Sequence, residues 1–402
     1  MSTTVNHKTG PAYELVPRLR KQGYDPSGVG RRRAWVEERA GVRLDQVGAF
    51  SMDSESMRGN IENPVGAAQV PIGVAGPLLV RGGHAQGTFY VPMATTEGAL
   101  IRSYERGMVT LTRAGGVESA VFADENQISP SFFFPTVSEA VRFTPWVERK
   151  LGKIRQQAEQ TTRHGRLLRL DCRVYGRQVI VNFGYATGDA QGMNMIVKAT
   201  DQACNWIAAN YPVERFHLFS GMCSEKRASG LVLSRGKGKW VTAGALLPDS
   251  LMRNYLGCTA QQLYEMWHST VIGHLAAGTL GYCGQYANGL AAIFIATGQD
   301  VANLANAAVG ITDFQLADGG IRASVTLPAL EVATVGGGTG LATQRECLQL
   351  LGCYGSGQAC KLAEIIAGAI LGGELSMGAA IASGEFATAH ERYGRNRPPE
   401  DG

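Results

Sequence analysis

The chain has 402 residues, room for two or three domains of ordinary size. Its 45% apolar and 18% charged content excludes wholesale disorder, and a net charge of +4 is too small a bias to imply a nucleic-acid partner. Eight cysteines show neither a C-x-x-C pair nor a His/Cys zinc spacing, so they read as reduced thiols, and no metal is expected.

In chain order, the N-terminal segment MSTTVNHKTGPAYELVPRLRKQG has no apolar stretch of the secretory kind, and a cytoplasmic protein is expected. Pro26-Ser27-Gly28-Val29-Gly30 reads as a turn. Arg31-Arg32-Arg33 follows and is expected on a solvated helix face rather than on phosphate, because only Trp35 is interleaved with it. From 65 to 90 the chain reads as Pro/Gly turns and short apolar runs. Thr95 or Thr96 is then expected to cap a helix carrying Leu100, Ile101 and Tyr104.

Residues 130–225 read as a separate unit. Phe132-Phe133-Phe134-Pro135 leads into a helical run over 138–157, and RLLRLDCRVYGRQVIVNFGYATG has strand-like β-branched content. A helix over 194–210 and a strand near 215–220 complete a small α+β module. Beyond 230, Gly/Ala-rich helices are interrupted by one strand-like run, GGIRASVTLPALEVATV. The apolar stretch 365–382 carries Glu374 and four glycines, so it predicts a buried helix and no membrane span.

The 52 glycines are roughly twice the usual share. Neither G-x-G-x-x-G after a strand nor G-x-x-x-x-G-K-[S/T] occurs, so ordinary Rossmann and Walker sites are unsupported. Gly188-Asp189-Ala190-Gln191-Gly192-Met193-Asn194-Met195 follows a predicted strand and opens a predicted helix. Backbone N–H groups there suit a pyrophosphate, with Asp189 or Asn194 bonding a nucleotide; a plain helix cap accounts for the segment about as well. Thr334-Val335-Gly336-Gly337-Gly338-Thr339-Gly340 also joins a strand to a helix. Successive glycines lose backbone entropy on folding, which favours a ligand lying against bare backbone over a mere connection.

Further motifs are E-N-P-V-G (62–66), P-I-G-V-A-G-P-L (71–78), P-M-A-T-T-E-G (92–98), S-E-K-R (224–227), G-Q-D (298–300) and G-E-L-S-M (373–377). With the two glycine segments and a histidine at 390, they resemble the hydroxymethylglutaryl-coenzyme A (HMG-CoA) reductase family, in the catalytic portion of its eukaryotic-type members. The resemblance runs from about Glu62 to Arg395. It implies an α+β fold: a large domain around a central helix, with an inserted ferredoxin-like dinucleotide-binding domain. The implied division is a helical N-terminal domain (1–62), a large domain in two parts (63–129 and 221–372), the insert (130–220) and a catalytic tail (373–402). A homodimer or larger oligomer with shared active sites is implied as well.

Residue by residue, the resemblance implies a catalytic set of Glu97, Lys226, Asp300 and His390, with Asn288 beside the lysine. NADPH is the implied cofactor, with NADH as the alternative. Asp189, Gly192, Met193, Asn194, Val335, Gly336, Gly337 and Arg395 are its expected contacts. Reducing a thioester to an alcohol takes two hydrides through a hemithioacetal and an aldehyde. Lys226 would offset charge on the carbonyl oxygen, and Asp300 would hold Lys226 charged. Glu97, buried beside Asp300, would stay protonated and donate to the aldehyde oxygen, while His390 would protonate the departing thiolate.

The substrate set expected is Ser103, Arg106, Ser220, Arg227 and Ile128. Here the chain departs from the family pattern. Ile128 and Ser269 stand where cations meet the distal carboxylate of the acyl group, Val109 and Ser250 where cations meet CoA phosphates, and Gln285 where a histidine precedes the asparagine. A less polar acyl pocket follows, and with it two readings of one chemistry. One reduces HMG-CoA to mevalonate; the other reduces an uncharged acyl thioester on CoA or on a carrier protein. A non-catalytic binding protein on this fold is the alternative of another class, against which the intact catalytic set argues.

Overall fold

The computed structural model describes residues 14–19 and 23–386. The chain divides into two units, Met1–Val70 and Pro71–Gly402. In the first, Asp25 caps the helix Pro26–Ala40 by accepting from the Gly28 N–H at 2.6 Å. The segment 26–30 is thus the first helical turn, where proline's missing N–H costs nothing. Arg32 corrects the expectation of a solvated triplet. It is 1% exposed, and its guanidinium donates to the carbonyls of Pro64 (2.6 Å), Gly23 (3.2 Å) and Pro17 (3.2 Å). The helical turn points Arg31 outward and Arg32 inward.

Among the described residues, the second unit holds ten strands in one continuous sheet. β1 (Ile72–Gly82) and β2 (Gln86–Ala94) form an antiparallel hairpin where the sequence reads as turns. β3 (Val117–Ile128) runs parallel to β1, and β4 (Ser131–Phe133) follows it. β5 (Arg166–Tyr175), β6 (Gln178–Ala186) and β7 (Arg215–His217) build the second half of the sheet; β8 (Gly238–Pro248), β9 (Ile311–Ala317) and β10 (Gly320–Leu330) complete the first. β8 and β9 are strands where only one strand-like run was expected. β3 joins the halves: it pairs with β8 over residues 118–125 and with β6 over 126–128.

Each half has its own core. The first surrounds the helix Ala359–Ala382, which buries Leu362, Ile365, Ile366, Ile370, Leu371 and Leu375. Burying each such side chain contributes about 1.5–3 kcal/mol. The helix is long and apolar enough to cross a membrane, yet 83% of its apolar window is buried within the protein. It runs unbroken through 373. Its glycines allow close packing: a Cβ on Gly107 of the helix Leu100–Arg113 would lie 1.8 Å from the Gly372 carbonyl oxygen. The second core packs Phe132, Phe134, Phe143, Val181, Phe183, Ile196 and Ile207 between strands and the helices Val137–Glu159 and Met193–Asn210. Ile128 is fully buried in this core, opposite Phe183 across β6.

Candidate active site

The turn after β6 brings the two glycine segments together. The Asp189 carbonyl accepts from the N–H groups of Thr334 (2.9 Å) and Val335 (3.3 Å). Its carboxylate accepts from the N–H groups of Gly357 (2.7 Å) and Ala359 (3.0 Å), the latter opening the central helix. Expected to bond a nucleotide, Asp189 is instead committed to a helix start, where its charge complements the dipole. Gly192 (φ 80°) begins the helix Met193–Asn210, with Met193 half-buried and Asn194 exposed. A Cβ at Gly192 would lie 2.5 Å from Thr187, so both space and conformation require glycine. Gly336 (φ 78°) and Gly337 (φ 55°) are exposed, and a Cβ on either would enter open space above the loop. Bare N–H groups at a loop and a helix start, with no acid in the first turn, fit a dinucleotide's pyrophosphate.

The G-Q-D loop is docked on the same loop. A Cβ on Gly298 would come within 2.4 Å of the Gly338 carbonyl oxygen. Buried Gln299 locks the contact: its Nε2 donates to the Ala333 carbonyl at 3.0 Å, and its Oε1 accepts from the Ala333 N–H at 2.7 Å. Gln299, the middle residue of G-Q-D, is not among the site residues expected from the sequence. Asp300 emerges next; Oδ1 accepts from the Ala302 N–H at 3.1 Å, and Oδ2 lies 2.7 Å from Lys226 Nζ. This hydrogen bond is the main influence holding the Lys226 ammonium above its ordinary value, against desolvation. Lys226 is itself in the left-handed region (φ 57°), as is Ser224 (φ 53°), a conformation that costs about 1–3 kcal/mol outside glycine. Side-chain exposures of 43% and 39% keep the pair within reach of a ligand. Arg227 is exposed, with no side-chain partner among the described residues. The Ser220 hydroxyl donates to the Ser129 carbonyl at 2.6 Å. Ile128, one residue back, points into the second core rather than lining an acyl pocket, because its strand position faces apolar side chains.

Glu97 lies elsewhere. The Thr95 hydroxyl accepts from its N–H at 3.0 Å, and Ala99 (φ 70°) starts the following helix without a side-chain cap, so neither threonine caps it. Asn288 Nδ2 is 3.3 Å from both Glu97 oxygens. Glu97 is exposed, and among the described residues no hydrogen bond or ion pair joins Glu97 or Asn288 to Lys226 or Asp300. The expected burial of Glu97 beside Asp300 is therefore absent within one chain, since the two stand on different loops.

The Glu97–Asn288 pair opens on a cavity of about 810 Å³, walled in part by Ser103, Arg106, Val109 and Gln285. Arg106 donates to the Ser376 carbonyl (2.6 Å) and hydroxyl (3.0 Å), with Glu385 3.8 Å away. Ser103 donates to the same hydroxyl at 3.2 Å. A second residue missed in sequence, Glu374, positions this side. Buried, it accepts from the Gly284 N–H (3.0 Å), the Gln285 N–H and the Thr312 hydroxyl (2.7 Å), fixing the start of the helix that carries Asn288. Burial raises its carboxyl despite these bonds. Its signal was an acid inside an otherwise apolar helix. His390 and Arg395 lie outside the described residues.

A family model for hydroxymethylglutaryl-coenzyme A reductase matches residues 28–395. The 3-hydroxy-3-methylglutaryl-coenzyme A reductase of Methanocaldococcus jannaschii is 40% identical over 372 residues, 90% of this chain and 92% of that protein. That of Aeropyrum pernix is 42% identical over 373 residues, 90% of this chain and 89% of its own. Among solved structures, the class II enzyme from Streptococcus pneumoniae bound to NADPH in open conformations aligns with a TM-score of 0.67. At 19% identity, covering 88% of this chain and 97% of that one, it shows a shared fold.

Proposed function

The chain belongs to the hydroxymethylglutaryl-coenzyme A reductase family, and from that premise we propose that it is an NADPH-dependent oxidoreductase converting HMG-CoA to mevalonate. The observation that carries this reading is the Lys226–Asp300 ion pair, docked through Gln299 on the glycine loop after β10. NADPH, when bound, supplies a hydride for each of two reductions. The N–H groups around 192–194 and those of Gly336 and Gly337 hold its phosphates, and Arg395 adds a charge. Each reduction puts negative charge on the substrate's carbonyl oxygen, which Lys226 offsets; removing one such donor costs about a hundredfold or more in rate. Glu97, steadied by Asn288, donates to the aldehyde oxygen in the second reduction. His390 protonates the departing CoA thiolate.

Glu97 and Lys226 serve one reaction yet are separate within a chain, so we assign each site to two copies. Glu97 and the cavity come from one subunit, Lys226 and the dinucleotide loops from the other. The second half of the helix Ala260–Ala277 exposes Ile272 (59%) and Leu275 (63%), an apolar face suited to such a partner.

A second reading keeps the chemistry and changes the acyl group. Val109 and Gln285, both uncharged, line the cavity, and Ile128 is sealed in the core. Losing the partner of a buried charge costs about 2–5 kcal/mol, so an uncharged acyl thioester meets fewer penalties than HMG-CoA. Oxidation of NADPH and NADH against HMG-CoA and a panel of neutral acyl-CoA and carrier-bound thioesters decides. HMG-CoA turnover with no better neutral substrate supports the first reading. A neutral thioester better in kcat/KM by about tenfold, or 1.4 kcal/mol, supports the second. No turnover of any thioester overturns both.

A further inference from the structure

Lys237 is 1% exposed and takes no part in the chemistry above. Its ammonium lies 2.6 Å from Asn126 Oδ1, 3.0 Å from the Gln127 carbonyl, 3.0 Å from Glu225 Oε2 and 3.9 Å from Glu331 Oε2. An ammonium leaves water only where carboxylates and carbonyls replace its hydration, so this is a placed charge rather than filler. The backbone is shaped to deliver it. Gly236 and Gly238, both at φ 74°, press against β10 and its end: a Cβ on the first would lie 2.6 Å from the Pro328 carbonyl oxygen, on the second 2.8 Å from Glu331 Cγ.

Each partner of Lys237 leads to a different part of the site. Glu225 immediately precedes Lys226 in the chain, and the Ser224 carbonyl in the same loop is held at 2.8 Å by Asn306 Nδ2. Glu331, buried at the end of β10, precedes the glycine loop that begins at Thr334. Asn126 donates to the Gln191 carbonyl (2.8 Å), just before Gly192, and to Glu331 Oε2 (3.2 Å).

We propose that Lys237 is a positioning residue: one buried ammonium holds the loop of Lys226 in register with both dinucleotide loops. The inference rests on the reductase reading, and it assigns two separable tasks. The arm to Glu225 aims Lys226. The arm through Asn126 and Glu331 shapes the dinucleotide cradle.

The test compares Glu225→Gln, Lys237→Met and the double variant by thermal unfolding, by NADPH titration followed through nicotinamide fluorescence without acyl substrate, and by steady-state kinetics. Glu225→Gln cuts only the first arm. It should lower kcat at least about tenfold, with the NADPH dissociation constant and unfolding midpoint near those of the parent. Lys237→Met alone strands two buried carboxylates and is expected to destabilise; the double variant removes one of them and should regain stability. In the double variant kcat should stay low, and NADPH should bind about tenfold more weakly. A folded double variant with kcat and NADPH affinity within about twofold of the parent overturns the proposal, making Lys237 merely structural. If the double variant does not fold, Glu225→Gln decides, and unchanged kcat there overturns it. Failure of the reductase reading is a distinct result: the parent would turn over no thioester, while the NADPH titrations would still report on the cradle.

Discussion

Asn288 Nδ2 sits 3.3 Å from both carboxylate oxygens of Glu97, and neither residue touches the Lys226–Asp300 ion pair of its own chain. Each pair is complete as a local structure, and the proposed chemistry needs both. A carboxyl group cannot protonate an oxygen held by a lysine on another loop unless something brings the loops together. A second copy of the chain can do so, because a two-fold axis makes the two sites it creates equivalent.

Co-expression of Glu97→Ala and Lys226→Ala chains tests this arrangement. Each variant alone should be inactive. Random pairing makes half of the dimers mixed, each with one intact site, so about a quarter of the parental activity should return. Activity no higher than the sum of the two single variants would place both residues in one chain's site.

Lys226→Ala should lower turnover of the thioester and of a supplied aldehyde alike, by at least about a hundredfold, because both reductions develop charge on oxygen. Asp300→Asn should do less, since it keeps a hydrogen bond to the ammonium while losing the charge that favours it. Near-parental rates in a folded Lys226→Ala protein would remove this lysine from the chemistry.

Gly337 has φ 55°, and a side chain there would stand in the open space above the loop. Gly337→Val adds both left-handed strain, about 1–2 kcal/mol, and bulk where a dinucleotide would rest. Expected is NADPH binding weaker by at least about tenfold with little change in the KM for the acyl thioester. Equal weakening of both ligands would mean that the whole site, not the cradle alone, had shifted.

Burial raises the Glu331 carboxyl from 4.5 to about 7, Lys237 opposing the shift and Glu225 adding to it. The folded chain then keeps a proton that the unfolded chain releases near 4.5, so between these values the folded state binds more protons. Its stability from this group therefore falls as pH rises through that window and levels off above it. Glu331→Gln takes up no proton. Its unfolding midpoint relative to the parent should rise between about pH 5 and about pH 8, and a constant difference would show that Glu331 does not titrate there.

Local pattern alone made some of this protein legible. The helix Val137–Glu159 begins at a capping box between Thr136 and Glu139, and the helix Met193–Asn210 begins where Gly192 breaks the preceding turn. The apolar run with its single buried acid could only be a helix inside a protein or a membrane, and Glu374 with four glycines chose the protein. The resemblance to the reductase family, not local pattern, pointed to Glu97, Lys226 and Asp300. Other features depend on partners far away in the chain. β1 and β8 read as turns or helices because glycine and proline weaken strand propensity, and only pairing with β2, β3 and β10 stabilises them. Ile128 became a core residue because its strand crosses from one half of the sheet to the other. Arg32 looks like a surface cation in the sequence, and Asp189 like a nucleotide ligand. Burial set the role of Arg32, because a charge withdrawn from water takes whatever carbonyls the tertiary fold presents, and the helix start at Ala359 claimed Asp189.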